Sequence, residues 1–325
     1  MRKKKARTAM LLLLGAVLLA PAVSHASADV ERSFDAGSAQ LLLVDTDIGS
    51  IEVSTHTADV VDVRVVRSGR YEEDLEVRFD TDRGRIAVYG DLDRGQRNGW
   101  GWGNNSRVRF EITVPQNFDI DLETAGGSIE VDDLNGKVMA RTSGGSLSFG
   151  RIEGSIRAKT SGGSIRFEGG NADADLRTSG GSIRVGDVGG RLKVHTSGGS
   201  ISIGRVEGSV DAHTSGGSIS VDEAVGAVNA RTSGGTVTAY ISEQPVGDSR
   251  LETSGGTVTV YLADHIAVDI NATAGSGRVR SDFDLGQGDD DDDRYNRGRS
   301  LRGSLNGGGP RLDLHSSNSV RIRRR

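Results

Sequence analysis

The chain has 325 residues, of which 47 are glycine, only 4% are aromatic and none is cysteine. Its formal net charge of −5 at pH 7 argues against nucleic acid as a partner. The lack of cysteine excludes disulfides and a lipid-modified cysteine, and the high glycine content favours a fold built from many tight turns.

The first 26 residues predict a secretory signal peptide. Five basic residues, the last of them Arg7, precede an apolar stretch at residues 10–20 that is too short to span a bilayer. Small residues at positions 24–28 suit cleavage, which would remove five basic and no acidic residues and take the net charge from −5 to −10. We therefore expect an exported protein of the periplasm or cell surface. An uncleaved anchor is the alternative, and no later segment is apolar enough to predict a transmembrane span.

Residues 29–125 carry alternating apolar and polar segments at 61–66, 75–79, 85–89 and 108–114. Such alternation predicts β-strands, and we expect an N-terminal strand cap with irregular coils. The segment 47–53, Asp-Ile-Gly-Ser-Ile-Glu-Val, is a degenerate copy of the repeat that follows.

Both tryptophans of the chain, Trp100 and Trp102, lie in a glycine-rich loop at residues 98–103. Exposed aromatic faces stack on sugars or enter pockets of a partner, so these two residues are candidate ligand contacts. The alternative is that both side chains fold back and cover the first coil.

Residues 126–277 contain a repeat of 18 residues, marked by Gly-Gly pairs that recur at that spacing until a short insertion near residue 244. The second glycines of these pairs are Gly127, Gly145, Gly163, Gly181, Gly199, Gly217, Gly235 and Gly256. The six complete rows each end in Thr-Ser-Gly-Gly. A short fixed period of this kind is typical of a solenoid.

Each row of the repeat predicts two short strands, because apolar and polar residues alternate on both sides of a central turn. Stacked rows would pair these strands in parallel at ~4.8 Å and bury three columns of side chains, which begin at Ile129, Val138 and Phe149. We expect the glycine pairs to permit positive φ at a sharp corner where a Cβ would clash, and the adjacent threonines and serines to bond backbone groups. The predicted fold class is all-β, a right-handed parallel β-helix or β-solenoid with 18-residue coils.

Residues 278–325 predict a C-terminal coil that carries an acidic insertion. The insertion, near residues 286–300, contains five consecutive aspartates at 289–293, and the surrounding composition predicts disorder. The segment 316–322, Ser-Ser-Asn-Ser-Val-Arg-Ile, is a second degenerate copy of the repeat.

Several motifs in a fixed order resemble a known bacterial family. They are the early Asp-Ile-Gly-Ser-Ile-Glu-Val, the strand end Val114-Pro115, the Thr-Ser-Gly-Gly-Ser-Ile rows and the closing Gly-Gly-Gly-Pro-Arg-Leu-Asp-Leu with Ser-Asn-Ser-Val-Arg-Ile. Over about residues 30–323 the chain resembles the adhesin-like β-strand-repeat proteins of unknown function, the DUF4097-like family. This resemblance implies a β-helix-like fold and an envelope location, and it carries over no catalytic residue and no cofactor.

The residue before each Thr-Ser-Gly-Gly is basic or titratable in six successive rows and predicts a charged stripe. The six residues are Arg141, Lys159, Arg177, His195, His213 and Arg231. Alternation directs them outward, and the coil spacing would extend the stripe over about 25 Å, which suits a repeating anion such as an acidic polysaccharide. The alternative is an ordinary solvated face, neutralised by acids such as Glu130, Glu153, Glu168 and Glu207.

Three functions remain open from the sequence. The favoured one is a non-catalytic exported envelope protein, an adhesin-like module or scaffold that binds an anionic envelope polysaccharide or an envelope protein. A passive structural protein that associates with itself and a carbohydrate-active β-helix enzyme are the alternatives. An enzyme needs cooperating carboxylates on one face, whereas the acids here move from column to column between rows. We expect no cofactor, and His195 with His213 lack a third metal ligand.

Overall fold

The computed structural model describes residues 29–37, 39–69, 71–82, 84–92, 107–285 and 298–325. The predicted signal peptide, Trp100, Trp102 and the aspartates at 289–293 therefore lie outside the described residues. Within these ranges the protein is all-β, with 28 strands in two sheets of 14 strands each. Its one helix has four residues, and no helix of the described ranges is long and apolar enough to cross a membrane.

The strands follow the alternating segments of the sequence. The N-terminal elements are β1 (Val30–Asp35), β2 (Leu41–Thr46), β3 (Ser50–His56), β4 (Val60–Ser68), α1 (Tyr71–Asp74), β5 (Leu75–Asp82), β6 (Arg85–Leu92) and β7 (Arg107–Pro115). The regular part comprises β8 (Asp119–Thr124), β9 (Ile129–Val131), β10 (Val138–Thr142), β11 (Leu147–Arg151), β12 (Ile156–Lys159), β13 (Ile165–Gly170), β14 (Ala174–Arg177), β15 (Ile183–Val188), β16 (Leu192–His195), β17 (Ile201–Val206), β18 (Val210–Thr214), β19 (Ile219–Ala224), β20 (Val228–Thr232), β21 (Val237–Ile241), β22 (Ser249–Thr253) and β23 (Val258–Leu262). The C-terminal strands are β24 (Val268–Ala274), β25 (Val279–Ser281), β26 (Ser300–Leu305), β27 (Arg311–Ser316) and β28 (Val320–Arg324).

The regular part is a β-solenoid, because each coil places one strand in each sheet and equivalent strands of successive coils pair in parallel. We call the sheet that contains the odd-numbered strands from β9 to β23 the first sheet. The second sheet contains the even-numbered strands from β8 to β22. The three predicted apolar columns are confirmed: Ile129, Phe149 and Val138 each pair with their equivalents in the next coils. Members of these columns are at most 3% exposed, and burial of each such aliphatic side chain contributes ~1.5–3 kcal/mol.

Buried threonines connect each turn to the coil before it, as the sequence predicts. The hydroxyl of Thr196 donates to the carbonyl of Gly181 at 2.8 Å and accepts from the amide of Gly199 at 3.3 Å. Serines form a second ladder on the outside, in which the amide of Ser200 donates to the hydroxyl of Ser182 at 3.2 Å. These contacts recur coil after coil and satisfy backbone groups that the sharp turn leaves unpaired.

The prediction of positive φ at the Gly-Gly pairs is wrong. Among the described residues, the glycines with positive φ are Gly49, Gly69, Gly84, Gly169, Gly298, Gly307 and Gly308, and none belongs to the Gly-Gly pairs that mark the 18-residue repeat. The physical reason for glycine is close stacking: a Cβ on Gly199 would lie 2.1 Å from the carbonyl oxygen of Gly181. Successive turns thus approach backbone to backbone, and a side chain would separate them.

At both ends of the molecule, the order of the coils in the stack differs from their order in the chain. The coil of β2 and β3 lies between the coil of β6 and β7 and the coil of β8 and β9. Likewise, β27 and β28 lie between the coil of β22 and β23 and the strands β24 and β25. The two degenerate copies are confirmed as coils of the solenoid, since Ile51 pairs with Ile129 and Val320 pairs with Val258.

Candidate binding surface

The six residues of the predicted stripe form one column on the outer face of the second sheet. Each pairs in register with the next, from Arg141 beside Lys159 to His213 beside Arg231. Five of the six are exposed, and His213 is half-buried. Alternation along β10 to β20 causes this arrangement, because the neighbouring residues of each strand point into the core. We call these six residues the basic column.

Carboxylates neutralise part of the basic column. Four of its residues have an acid within 4.0 Å: Arg141 with Asp121 (3.9 Å) and Glu123 (3.6 Å), Arg177 with Asp175 (2.8 Å), His213 with Asp211 (3.1 Å) and Arg231 with Glu252 (3.6 Å). Lys159 and His195 have no ion pair with any residue that the structure describes. Such exposed pairs contribute little to stability, so their arginines can exchange partners at low cost.

The acids that the sequence suggested as neutralising partners are the wrong ones. Glu130 and Glu168 lie in β9 and β13 of the first sheet, and Glu153 and Glu207 follow strands of that sheet. Glu153 and Glu168 pair there with Arg151 at 3.2 Å and Arg166 at 2.7 Å. The coil has two outer faces, and these acids belong to the face opposite the basic column.

A second outward column lies beside the first and was missed from the sequence. Its members in successive strands are Met139, Arg157, Asp175, Lys193, Asp211 and Asn229. Between residues 139 and 231 the two columns together carry six lysines and arginines, Arg141, Arg157, Lys159, Arg177, Lys193 and Arg231, against two carboxylates, Asp175 and Asp211.

The most basic part of this surface is β12. Arg157 and Lys159 are both exposed, and neither has an ion pair within the described ranges. The alternating sequence Ile-Arg-Ala-Lys at 156–159 is the signal that could have identified Arg157, since it places two cations on one face of one strand. We call the outer face of the second sheet around β12 the basic surface.

The N-terminal end of the second sheet is acidic. The column continues from Arg141 to Glu123 and Asp45 in adjacent strands. Burial raises the pKa of Asp45, and the charges of Glu123, Asp91 and Asp47 raise it further. Burial also raises the pKa of Asp121, although the positive charge of Arg141 opposes this effect. The sign of the surface charge therefore changes along the sheet, from acidic at β2 and β8 to basic at β12.

The described residues offer little support for a metal centre or a carboxylate pair. No group of three His, Cys, Asp or Glu within them is arranged to hold a metal ion. A depression of about 630 Å³ on the first sheet is lined by acids that include Glu31, Glu52 and Glu111. Arginines form ion pairs with these carboxylates: Arg64 lies 3.4 Å from Glu31 and from Glu111, and Arg109 lies 3.5 Å from Glu52.

The sequence matches one protein-family model, described as Toastrack DUF4097, over residues 40–302. No curated protein matches it. Similar solved structures include a candidate cell adhesion protein from Clostridium sporogenes, with 12% identity, TM-score 0.23, and 91% of this chain and 99% of that chain covered. A candidate adhesin from Bacteroides fragilis has 10% identity and TM-score 0.28, with 91% and 96% of the two chains covered. A candidate lipid binding protein from Parabacteroides distasonis has 13% identity and TM-score 0.39, with 90% and 96% covered.

Proposed function

Because the chain belongs to the Toastrack DUF4097 family, we propose that it is a non-catalytic binding protein of the cell envelope. Its ligand is an extended polyanion, such as an acidic polysaccharide, that lies along the basic surface. The observation that carries this proposal is the register of the basic column, which presents one outward position per coil in six successive coils. Export is supported by the signal-peptide pattern of the first 26 residues.

The spacing of the coils explains why a polymer suits this surface. Adjacent strands are ~4.8 Å apart, which is shorter than the screening length of ~8 Å at physiological salt, so neighbouring cations act on the same stretch of ligand. A polymer with charges along its length would contact several coils at once, whereas a single small anion would contact one or two.

End-to-end self-association receives less support than binding. Three of the four sheet ends finish in antiparallel strands, β1, β5 and β26, and the fourth is the three-residue β25. These outer strands carry charged residues such as Glu31 and Arg78, which discourage pairing with another sheet edge.

The test is a binding measurement on the double variant Arg157→Ser/Lys159→Ser. Calorimetric titration with polygalacturonate and with dextran sulfate should give ~tenfold weaker binding than the wild type, because each lost exposed charge contact is worth up to ~1 kcal/mol. Uncharged dextran controls for interactions without charge. Binding should weaken further as salt is added.

The matched control is Arg184→Ser, compared with the single variant Arg157→Ser. Both arginines are exposed and without an ion pair in the part of the chain that the structure describes, but Arg184 lies in β15 on the first sheet. Arg184→Ser should leave binding unchanged. Equal losses in the two single variants, or no binding of either polyanion by the wild type, would falsify the proposal.

A further inference from the structure

The last two coils of the first sheet depart from the repeat at its outer corner. In the four coils immediately before them this corner holds small hydroxyl side chains, such as Ser218 and Ser220 or Thr257 and Thr259, while two earlier coils each have one arginine there, Arg166 and Arg184. In the last two coils three of the four equivalent positions are arginine: Arg278, Arg280 and Arg321, with Ser319 as the fourth residue. The core positions between them remain valine, so the change concerns the outer face alone.

The register of β25 and β28 brings these four residues into a compact group. Arg280 pairs with Arg321, and because Val279 pairs with Val320, Arg278 lies opposite Ser319. Residues two apart on a strand point to the same side, so all four face outward, with ~4.8 Å between the strands and ~7 Å along them. Together with Gly277 they line a depression of about 230 Å³.

None of the three arginines has an acidic partner within the described ranges, although other arginines nearby do. Asp282, which follows β25, accepts from Arg323 at 3.2 Å and from the amide of Arg324 at 3.3 Å. The hydroxyl of Ser319 has no hydrogen-bond partner among the described residues, whereas the serines of the regular ladder accept from the next coil. Three close positive charges repel one another, and a bound anion would relieve this repulsion.

We propose that Arg278, Arg280, Arg321 and Ser319 form a binding site for a phosphomonoester group. One guanidinium group can donate two parallel hydrogen bonds to two phosphate oxygens. Three guanidinium groups therefore suit a phosphomonoester, a dianion with three terminal oxygens, better than they suit a carboxylate, which has one charge and two oxygens. The depression has a volume of about 230 Å³, and glycine is required at its edge, because a Cβ on Gly277 would lie 2.1 Å from the Ser319 hydroxyl. This site lies on the sheet opposite the basic surface, and it does not depend on polyanion binding there.

Titration of the full-length protein with inorganic phosphate tests the site. The variant Arg280→Ser/Arg321→Thr takes the residue types that Ser220 and Thr259 have in the same column, so the fold should be preserved. Phosphate affinity should fall ~tenfold or more, since each charged contact to phosphate is stronger than a neutral hydrogen bond. Arg184→Ser in the same outward column is the control and should retain wild-type phosphate affinity. Binding of polygalacturonate should be unchanged in both variants.

Vesicle binding distinguishes the source of the phosphate. Phosphatidylcholine vesicles with phosphatidic acid present a phosphomonoester, whereas those with phosphatidylglycerol present a phosphodiester. Preference for phosphatidic acid that is lost in Arg280→Ser/Arg321→Thr supports the site with a lipid headgroup as ligand, and binding of inorganic phosphate alone supports it with a soluble ligand. The proposal is overturned by measurable binding that is equal for the two kinds of vesicle, by equal loss in Arg184→Ser, or by a wild type that binds neither phosphate nor phosphatidic acid.

Discussion

At the scale of single residues, the second position of each Gly-Gly pair requires glycine because successive turns lie too close together for a Cβ. A Cβ on Gly127 would lie 1.8 Å from the carbonyl oxygen of Gly49, whereas a Cβ on Gly126 would meet no atom within 4 Å. The two glycines of a pair therefore have different roles, although both recur with the same period. A Cβ on the second glycine would overlap the backbone of the preceding coil, at 1.8–2.2 Å in the eight pairs, whereas a Cβ on the first glycine of the later pairs would lie 3.0–3.4 Å from it.

Gly127→Ala should destabilise the protein much more than Gly126→Ala. The first change forces two backbone segments apart, at a cost of ~1–3 kcal/mol or more, while the second adds a methyl group to open space. The midpoint of thermal unfolding, followed by circular dichroism, measures the difference. Similar midpoints for the two variants would contradict the stacking argument.

At the scale of strands and coils, the sequence predicted the repeat, the alternation and the three apolar columns correctly. These features depend on residues 18 apart, which the period alone brings together. The partners of the basic column were not predicted, since a given acid can face either sheet. Asp175 neutralises Arg177 because both lie on β14, whereas Glu168 lies one strand earlier and on the other face.

The threonine ladder is the polar connection between coils, and Thr196→Val tests it. The substitution keeps the shape of the side chain but leaves the carbonyl of Gly181 and the amide of Gly199 without their hydroxyl partner inside the protein. We expect a loss of ~1–3 kcal/mol in unfolding free energy by chemical denaturation.

The control for this substitution is Thr238→Val, which lies on the outer face of β21 and should change stability by less than ~0.5 kcal/mol. If both valine variants unfold at the same denaturant concentration as the wild type, the buried hydroxyls do not stabilise the stack.

At the scale of the whole molecule, the interleaved ends could not be read from the sequence. The degenerate copies at 47–53 and 316–322 are recognisable as coils, but each presents the same kind of apolar column as every other coil. Their place in the stack depends on which sheet edges are available when they pair. The proposed phosphomonoester site could not be predicted from the sequence for the same reason. Arg280 and Arg321 are 41 positions apart and meet only through the pairing of β25 with β28.

In a chain that ends after Pro310, the strands β24 and β25 should no longer be folded onto the solenoid. Without β27 and β28, the strands β24 and β25 have no parallel neighbour, since each pairs with the stack of regular coils through one of those two strands. Limited proteolysis with mass spectrometry should show rapid cleavage within residues 263–285, while the regular coils remain protected. A chain that ends after Ile322 keeps most of both strands and is the control. Equal protection of residues 263–285 in the two proteins would contradict the observed strand order.

The position of β27 and β28 also bears on the order in which a newly made chain can fold. A chain that emerges from its N-terminus can add each regular coil at once, because the strand it joins lies only 18 residues back. The strands β24 to β26 emerge before the coil on which they must dock. Their site is completed only when residues 311–324, which follow them in the chain, have also emerged. The C-terminal end of the solenoid is thus assembled later than the regular coils, and a chain that stops before β27 would retain an open sheet edge that quality-control proteases can recognise.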